Sequence, residues 1–351
     1  MIKNKISKIL CMLLVAIFVA TTLTSCASTN ETTETKETVK YTYNKDKIVN
    51  VGIAWITDGE DRSEIAVKNA VEELGEKASL LPEVKDYDLE YDKSEISSFL
   101  INENGELSKE SAEKVKTNSY KNSNIEEVMK GIDVVVLPGG DDICTTLYKD
   151  NVDFEQHDKE DKHSPARDVS DYLITKYCLD NDIPILGICR GMQMIAIVSG
   201  CKIMQDIPSY LESLGKNDLY VHREKRNSEG KIGDFIPHDV SVLSKDSLIY
   251  KTYGNELIKN APSWHHQAVE SVDGTDLKVT AISSVGGVDI IEAVESITVR
   301  FALGVQFHPE FAYQYHKDDE PTAYKFMDVP EALTFFSSLI DAGKYTKEIV
   351  K

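Results

Sequence analysis

The stretch GICRGMQ, residues 187–193, follows the apolar run Ile183, Pro184, Ile185 and Leu186 and leads into a second apolar run at 192–199. The first run is short, as a buried strand would be, and the second has helical spacing, so the stretch marks a strand-to-helix turn. A cysteine stands on that turn with a glycine on each side. Glycine lets the backbone pass where any Cβ would clash, so Cys189 can be held out at the sheet edge on a strained turn, as in a nucleophile elbow. The helix beginning after it would aim N–H groups and its positive dipole end at the sulfur, which favours the thiolate. A buried structural cysteine packed between small residues would look the same locally, so the rest of the chain has to decide.

Working outward, the same strand-helix alternation recurs. IVNVGIAWI at 48–56 reads as a buried strand and 63–75 as a helix; 124–130 is a short helix and IDVVVL at 132–137 a strand ending in the turn PGGDD. An amphipathic helix is expected over 168–179, and strands over 183–188, 277–282, 288–294 and 297–305, the later ones including antiparallel members. Strands that are apolar throughout rather than alternating belong in a sheet covered on both faces. The expectation is therefore an α/β fold, a three-layer, mostly parallel sheet with helices on both faces, in one domain over 47–351. Polar stretches near 82–124 and 210–233 read as insertions, the first partly helical.

Two further motifs supply partners for the cysteine. In GVQFHPEF, 304–311, His308 and Glu310 are two apart; on an extended segment they share a face, and the carboxylate can fix the imidazole tautomer. Nucleophile, base and orienting acid are then all present. In LPGGDD, 137–142, the glycine pair after a buried strand can turn a backbone N–H of Gly139 or Gly140 toward a reacting carbonyl. With the N–H of Arg190 it would form an oxyanion hole, each donor being worth about 10²–10³ in rate.

The N-terminus reads as an export signal. Lys3, Lys5 and Lys8 precede an apolar run at 9–20, too short to span a bilayer comfortably. The run ends in Leu23, Thr24, Ser25 and Cys26, which resembles the lipobox of bacterial lipoproteins; Cys26 would become a lipidated N-terminus, placing the protein on the outer face of the cell membrane or in the periplasm. Residues 27–46, rich in Thr, Glu, Lys and Asn, are expected to be a flexible tether. The formal charge of −20 and pI near 4.8 argue against nucleic acid as a partner. Beyond Cys11 and Cys26 four cysteines remain, at 144, 178, 189 and 201, without zinc or redox spacing, and their pairing cannot be ranked from sequence.

The ordered series PGGDD, RDVSD (167–171), GICRGMQ, SWHHQ (263–267), EAVES (292–296) and FALGVQFHPEF resembles the class I glutamine amidotransferase-like fold, and more narrowly the gamma-glutamyl-gamma-aminobutyrate hydrolase family of cysteine peptidases. The resemblance implies Cys189 as nucleophile, His308 as general base and acid, and Glu310 as the third triad member. It also implies that Arg167, Gln193, His265, His266 and Gln267 contribute to the binding of a small gamma-glutamyl substrate. The chain departs from the family pattern at Asp171, one methylene shorter than the usual Glu, and at Pro262, where Asn is usual. The implied activity is hydrolysis of a gamma-glutamyl amide; the alternative is a lipid-anchored binding protein that keeps the fold without turnover. No metal or organic cofactor is called for, because the cysteine mechanism is complete without one. Oligomeric state has no signature in the sequence.

Overall fold

Short runs of β-branched residues, flanked by turns and too apolar to face water, pair side by side to form the centre of the molecule. The computed structural model describes residues 38–56, 62–118, 120–157, 162–216, 222–223 and 235–350. Residues 41–346 make one compact unit; a second, of residues 1–40 and 347–351, is described only at 38–40 and 347–350.

Among the described residues the central sheet has nine strands: β1 (Asn50–Ile53), β2 (Lys77–Leu80), β3 (Val134–Leu137), β4 (Ile185–Ile188), β5 (Ile236–Val242), β6 (Leu257–Ser263), β7 (Leu277–Val285), β8 (Val288–Ser296) and β9 (Ala302–Val305), in the spatial order β6-β5-β7-β8-β9-β4-β3-β1-β2. From β9 to β2 every pairing is parallel; from β9 to β6 every pairing is antiparallel. The parallel half carries the motifs and is helix-covered on both faces. Val134 and Val136 join one apolar cluster with helices α1 (Arg62–Glu73), α5 (Pro309–Lys317) and α6 (Val329–Gly343). The intervening Val135 and Leu137 join another, with α2 (Lys109–Asn118), α3 (Pro165–Asn181) and α4 (Arg190–Val198). Alternate side chains of one strand thus enter two cores, the three-layer arrangement expected of all-apolar strands.

The boundaries differ from the sequence reading where packing overrules pattern. The strand expected over 297–305 is reduced to β9, because 297–300 turn at the surface and Ile297 is exposed. Strands β2, β5 and β6 and helices α5 and α6 were not anticipated. The polar stretch 82–124 does contain helix α2, but it is packed rather than peripheral: Leu107, Ala112 and Val115 are fully buried. One inward face of three residues is enough to seat this helix, and so small a face leaves the composition polar. Of the 210–233 stretch only 210–216 and 222–223 are described. The export signal and the tether up to residue 37 lie outside the described residues. Within the expected tether Thr38–Tyr43 is a strand, and Tyr41 and Tyr43 donate through Oη to Asp182 and Asp341.

Candidate active site

The C-terminal ends of β3, β4 and β9 lie side by side, with Leu137 opposite Gly187 and Ile188 opposite Val305. The three motifs that follow these strands must therefore emerge at one edge, as ligand sites of open α/β sheets do. Cys189 caps α4 with φ +52° and ψ −107°, a conformation that disfavours any residue bearing a Cβ and persists only where its surroundings hold it. Part of that hold is the Cys189 N–H, which donates to the Val305 carbonyl at 2.7 Å. The flanking glycines are obligatory: a Cβ on Gly187 would lie 2.5 Å from the Gly191 carbonyl, and one on Gly191 would lie 2.2 Å from the Leu137 carbonyl oxygen.

His308 and Glu310 do come together, at 2.7 Å between Nδ1 and Oε1, but not on an extended segment. Pro309 starts α5, so His308 is its N-cap and Glu310 sits in its first turn. The tight turn of a helix start, rather than strand alternation, brings the carboxylate back to the ring. With Nδ1 engaged, Nε2 is the nitrogen left for the thiol. His308 and Cys189 converge over Gly139: a Cβ there would lie 2.7 Å from His308 Cε1 and 3.6 Å from Cys189 Cβ. Burial alone would lower the imidazole pKa, but the Glu310 carboxylate and the Cys189 sulfur beside it override this and hold it up to about 10. At neutral pH the proton therefore resides on His308.

Gln306, which the sequence reading passed over, belongs to the site. Its Nε2 donates to Cys189 Sγ at 3.4 Å and its Oε1 accepts from Gln193 Nε2 at 3.3 Å. Its signal was its position two residues before His308 at the end of a buried strand. Gln193, expected to line the pocket, reaches Cys189 through it.

Of the oxyanion candidates, Gly139 lies beside Cys189 and Arg190 follows it in the chain, and among the described residues no hydrogen bond uses the N–H of Gly139, Gly140 or Arg190. Arg167 is buried, and its Nη2 donates to the carbonyls of Pro138 (3.2 Å) and Gly139 (2.7 Å). Because a trans peptide points its N–H opposite to its carbonyl, fixing Gly139 O on Arg167 turns the Gly140 N–H the other way. Asp171 is fully buried and takes Arg190 Nη1, with Arg167 Nε at 3.5 Å; Asp168 takes Arg190 Nη2 and the Cys144 N–H. The shorter carboxylate of RDVSD thus ties α3 to the elbow helix.

His266 bridges Asp142 (3.1 Å) and Asp206 (3.1 Å), and although burial opposes the charge, these two carboxylates hold its pKa up to about 9. It braces the loop that carries Gly139 and Gly140. His265 is buried beside Glu292 with Nδ1 on the Gln267 carbonyl at 2.8 Å. Pro262 lies on the edge strand β6, where a missing N–H is tolerated, and its carbonyl accepts from His308 N at 2.8 Å. That contact needs no particular side chain, which accounts for the departure at this position. Cys144, Cys178, Cys189 and Cys201 are all free and buried, and burial pushes the Cys144, Cys178 and Cys201 thiols up, away from reactivity.

A cysteine elbow, an imidazole held by a carboxylate and two sets of unused backbone donors on a three-layer α/β sheet define a protein of the glutamine amidotransferase-like class. The chain belongs to the Peptidase C26 family, whose model matches residues 115–310, a span that takes in all three motifs. It is 30% identical over 257 residues to a protein of Rickettsia prowazekii described as glutamine amidotransferase-like, covering 64% of this chain and 82% of that one. To the gamma-glutamyl-gamma-aminobutyrate hydrolase of Escherichia coli it is 28% identical over 195 residues, covering 53% of this chain and 67% of that one. A glutamine amidotransferase of Thermotoga maritima superposes with a TM-score of 0.43 at 15% identity, covering 85% of this chain and 99% of the other. The family supports a hydrolase or amidotransferase activity.

Proposed function

We propose that the protein hydrolyses the gamma-glutamyl amide bond of a small gamma-glutamyl compound through a thioester on Cys189. The observation that carries this reading is the convergence of Cys189 and His308 over Gly139, with Glu310 on the far nitrogen of the ring. With the proton on His308, the sulfur attacks the γ-carbonyl as thiolate, and the oxyanion that forms is met by the N–H groups of Arg190 and Gly139 or Gly140. Collapse expels the amine, which takes the His308 proton, and leaves the glutamyl thioester. The imidazole, now neutral, draws a proton from water as it adds to the thioester, and glutamate leaves with the thiolate restored. The similarity to a gamma-glutamyl-gamma-aminobutyrate hydrolase supports this choice of bond. We further propose that Cys26 carries a lipid anchor, which would place the enzyme outside the cytoplasmic membrane, where ammonia passed to a synthetase would be lost.

The test is glutamate release from a panel of gamma-glutamyl amides, alongside Cys189→Ala. Release that disappears in the variant supports hydrolysis. A folded protein that releases nothing, and whose Cys189 does not react with an alkylator, is instead a binding protein.

A further inference from the structure

Away from the triad, on the antiparallel half of the sheet, His222, His238, His265 and Glu292 bring four donor atoms within 4.8 Å of one another, and all four residues are buried. We propose that this cluster is a structural site for one divalent transition-metal ion of the zinc class, held by three imidazole nitrogens and one carboxylate.

The donor set fits that chemistry. Three nitrogens and an oxygen suit zinc and its neighbours and are a poor match for calcium or magnesium, which take oxygen. Bonds of about 2.0–2.1 Å in a tetrahedron put donors about 3.3 Å apart. Here His222 Nδ1 stands 3.2 Å, His238 Nε2 3.7 Å and His265 Nε2 3.7 Å from the Glu292 oxygens. The distances to the carboxylate are already within tenths of an ångström of that spacing, and the widest donor pair, within 4.8 Å, would close by at most about 1.5 Å on an ion.

The surroundings are prepared as metal sites are. A ligating histidine ordinarily engages its other nitrogen with an outer partner that fixes the tautomer. His265 Nδ1 lies 2.8 Å from the Gln267 carbonyl and His238 Nδ1 lies 3.3 Å from Ser283 Oγ, leaving Nε2 of each aimed at Glu292. The backbone of His222 is pinned: its carbonyl accepts from Ser263 Oγ at 2.7 Å and from His265 N at 3.1 Å. Both oxygens of Glu292 are fully buried and face the three rings, at 3.2–3.7 Å. A buried carboxylate so placed is costly unless something charged compensates it, and a cation at the centre of the three rings would do so.

Four protein donors, all on buried residues, suit a closed, structural site rather than one that binds a water for chemistry. Its effect on the reaction is indirect. The segment 262–267 carries His265 at the metal and, through the Pro262 carbonyl, holds the backbone of His308. The expectation that hydrolysis needs no metal concerned the reaction and is separate from this site.

The experiment uses the purified full chain, stripped with a chelator, loaded with zinc alone, passed through a desalting column and analysed for metal and protein. One equivalent should be retained and should raise Tm, and cobalt in its place should give the intense visible absorption of a four-coordinate ion. Glu292→Gln and His265→Gln should each lose most of the retained metal, with His238→Asn standing in for whichever of them does not fold. Cys189→Ala should keep the full equivalent, which separates this cluster from zinc trapped at the triad. A folded wild-type chain that retains no zinc or cobalt, retention unaltered in folded cluster variants, or loss of the metal in Cys189→Ala would overturn the proposal.

Discussion

Replacing Glu310 with glutamine preserves the shape and one acceptor for His308 Nδ1 but removes the charge. The structure fixes what that charge does. The lift of the His308 pKa from its ordinary 6.5 to about 10 corresponds to roughly 5 kcal/mol of preference for the imidazolium. That preference is set against burial, and Glu310 and Cys189 supply it, with Glu310 giving the larger single share. Losing about 2–3 kcal/mol of it would shift the ratio of imidazolium to imidazole by roughly 30- to 150-fold toward the neutral ring. Because the folded pKa is raised, the stabilisation is fully present below 6.5 and is lost as pH rises through about 10. In Glu310→Gln that loss should begin at lower pH. The assay is the pH dependence of Cys189 alkylation together with kcat/KM for glutamate release. The upper limb of the kcat/KM profile should move to lower pH, alkylation near neutral pH should slow, and kcat/KM should fall by roughly 10²–10⁴. An unchanged profile with near-normal kcat/KM would refute the assignment of Glu310 as the group that holds and charges the imidazole.

Gly139→Ala places a methyl 2.7 Å from His308 Cε1 and should lower kcat by displacing the ring, with Tm little changed; a fully active variant would contradict the convergence over this residue. Arg167→Lys keeps a charge but not the paired contacts to Pro138 and Gly139, so kcat should fall with KM nearly constant; a rise in KM alone would return Arg167 to direct substrate binding, as the resemblance implied. Gln306→Leu should slow Cys189 alkylation, since the only side-chain amide touching the sulfur is removed among the described residues; equal rates would make Gln306 a packing residue. Cys26→Ser should move the protein from the membrane to the soluble fraction and abolish labelling by a clickable fatty acid, whereas persistent labelling would exclude Cys26 as the anchor.

The motifs were legible because their chemistry is local. An elbow needs two glycines within the thickness of one turn, and the Leu137, Gly187 and Gly191 backbones indeed pass too closely for any side chain. The inner parallel strands were legible because burial on both faces leaves only apolar residues, as in 132–137 and 183–188, whereas β2, half exposed at the sheet edge, was not. Strand β5 and the edge strand β6 escaped notice: they contain Pro237 and Pro262, and β5 alternates buried with exposed positions, so they read as loop.

Sequence alone singled out Cys189, His308 and Glu310, and the strand-helix-strand order that delivers them to one sheet edge. Each depends on residues a few positions apart and on the fixed periods of strand and helix. Tertiary structure decided what the remaining polar residues do. Arg167 clamps the loop of Pro138 and Gly139, Asp171 serves Arg190, His266 braces Asp142, and Glu292 gathers His222, His238 and His265. Those partners lie tens of residues apart in the chain, and for a buried charge the partner, which only folding supplies, sets the role.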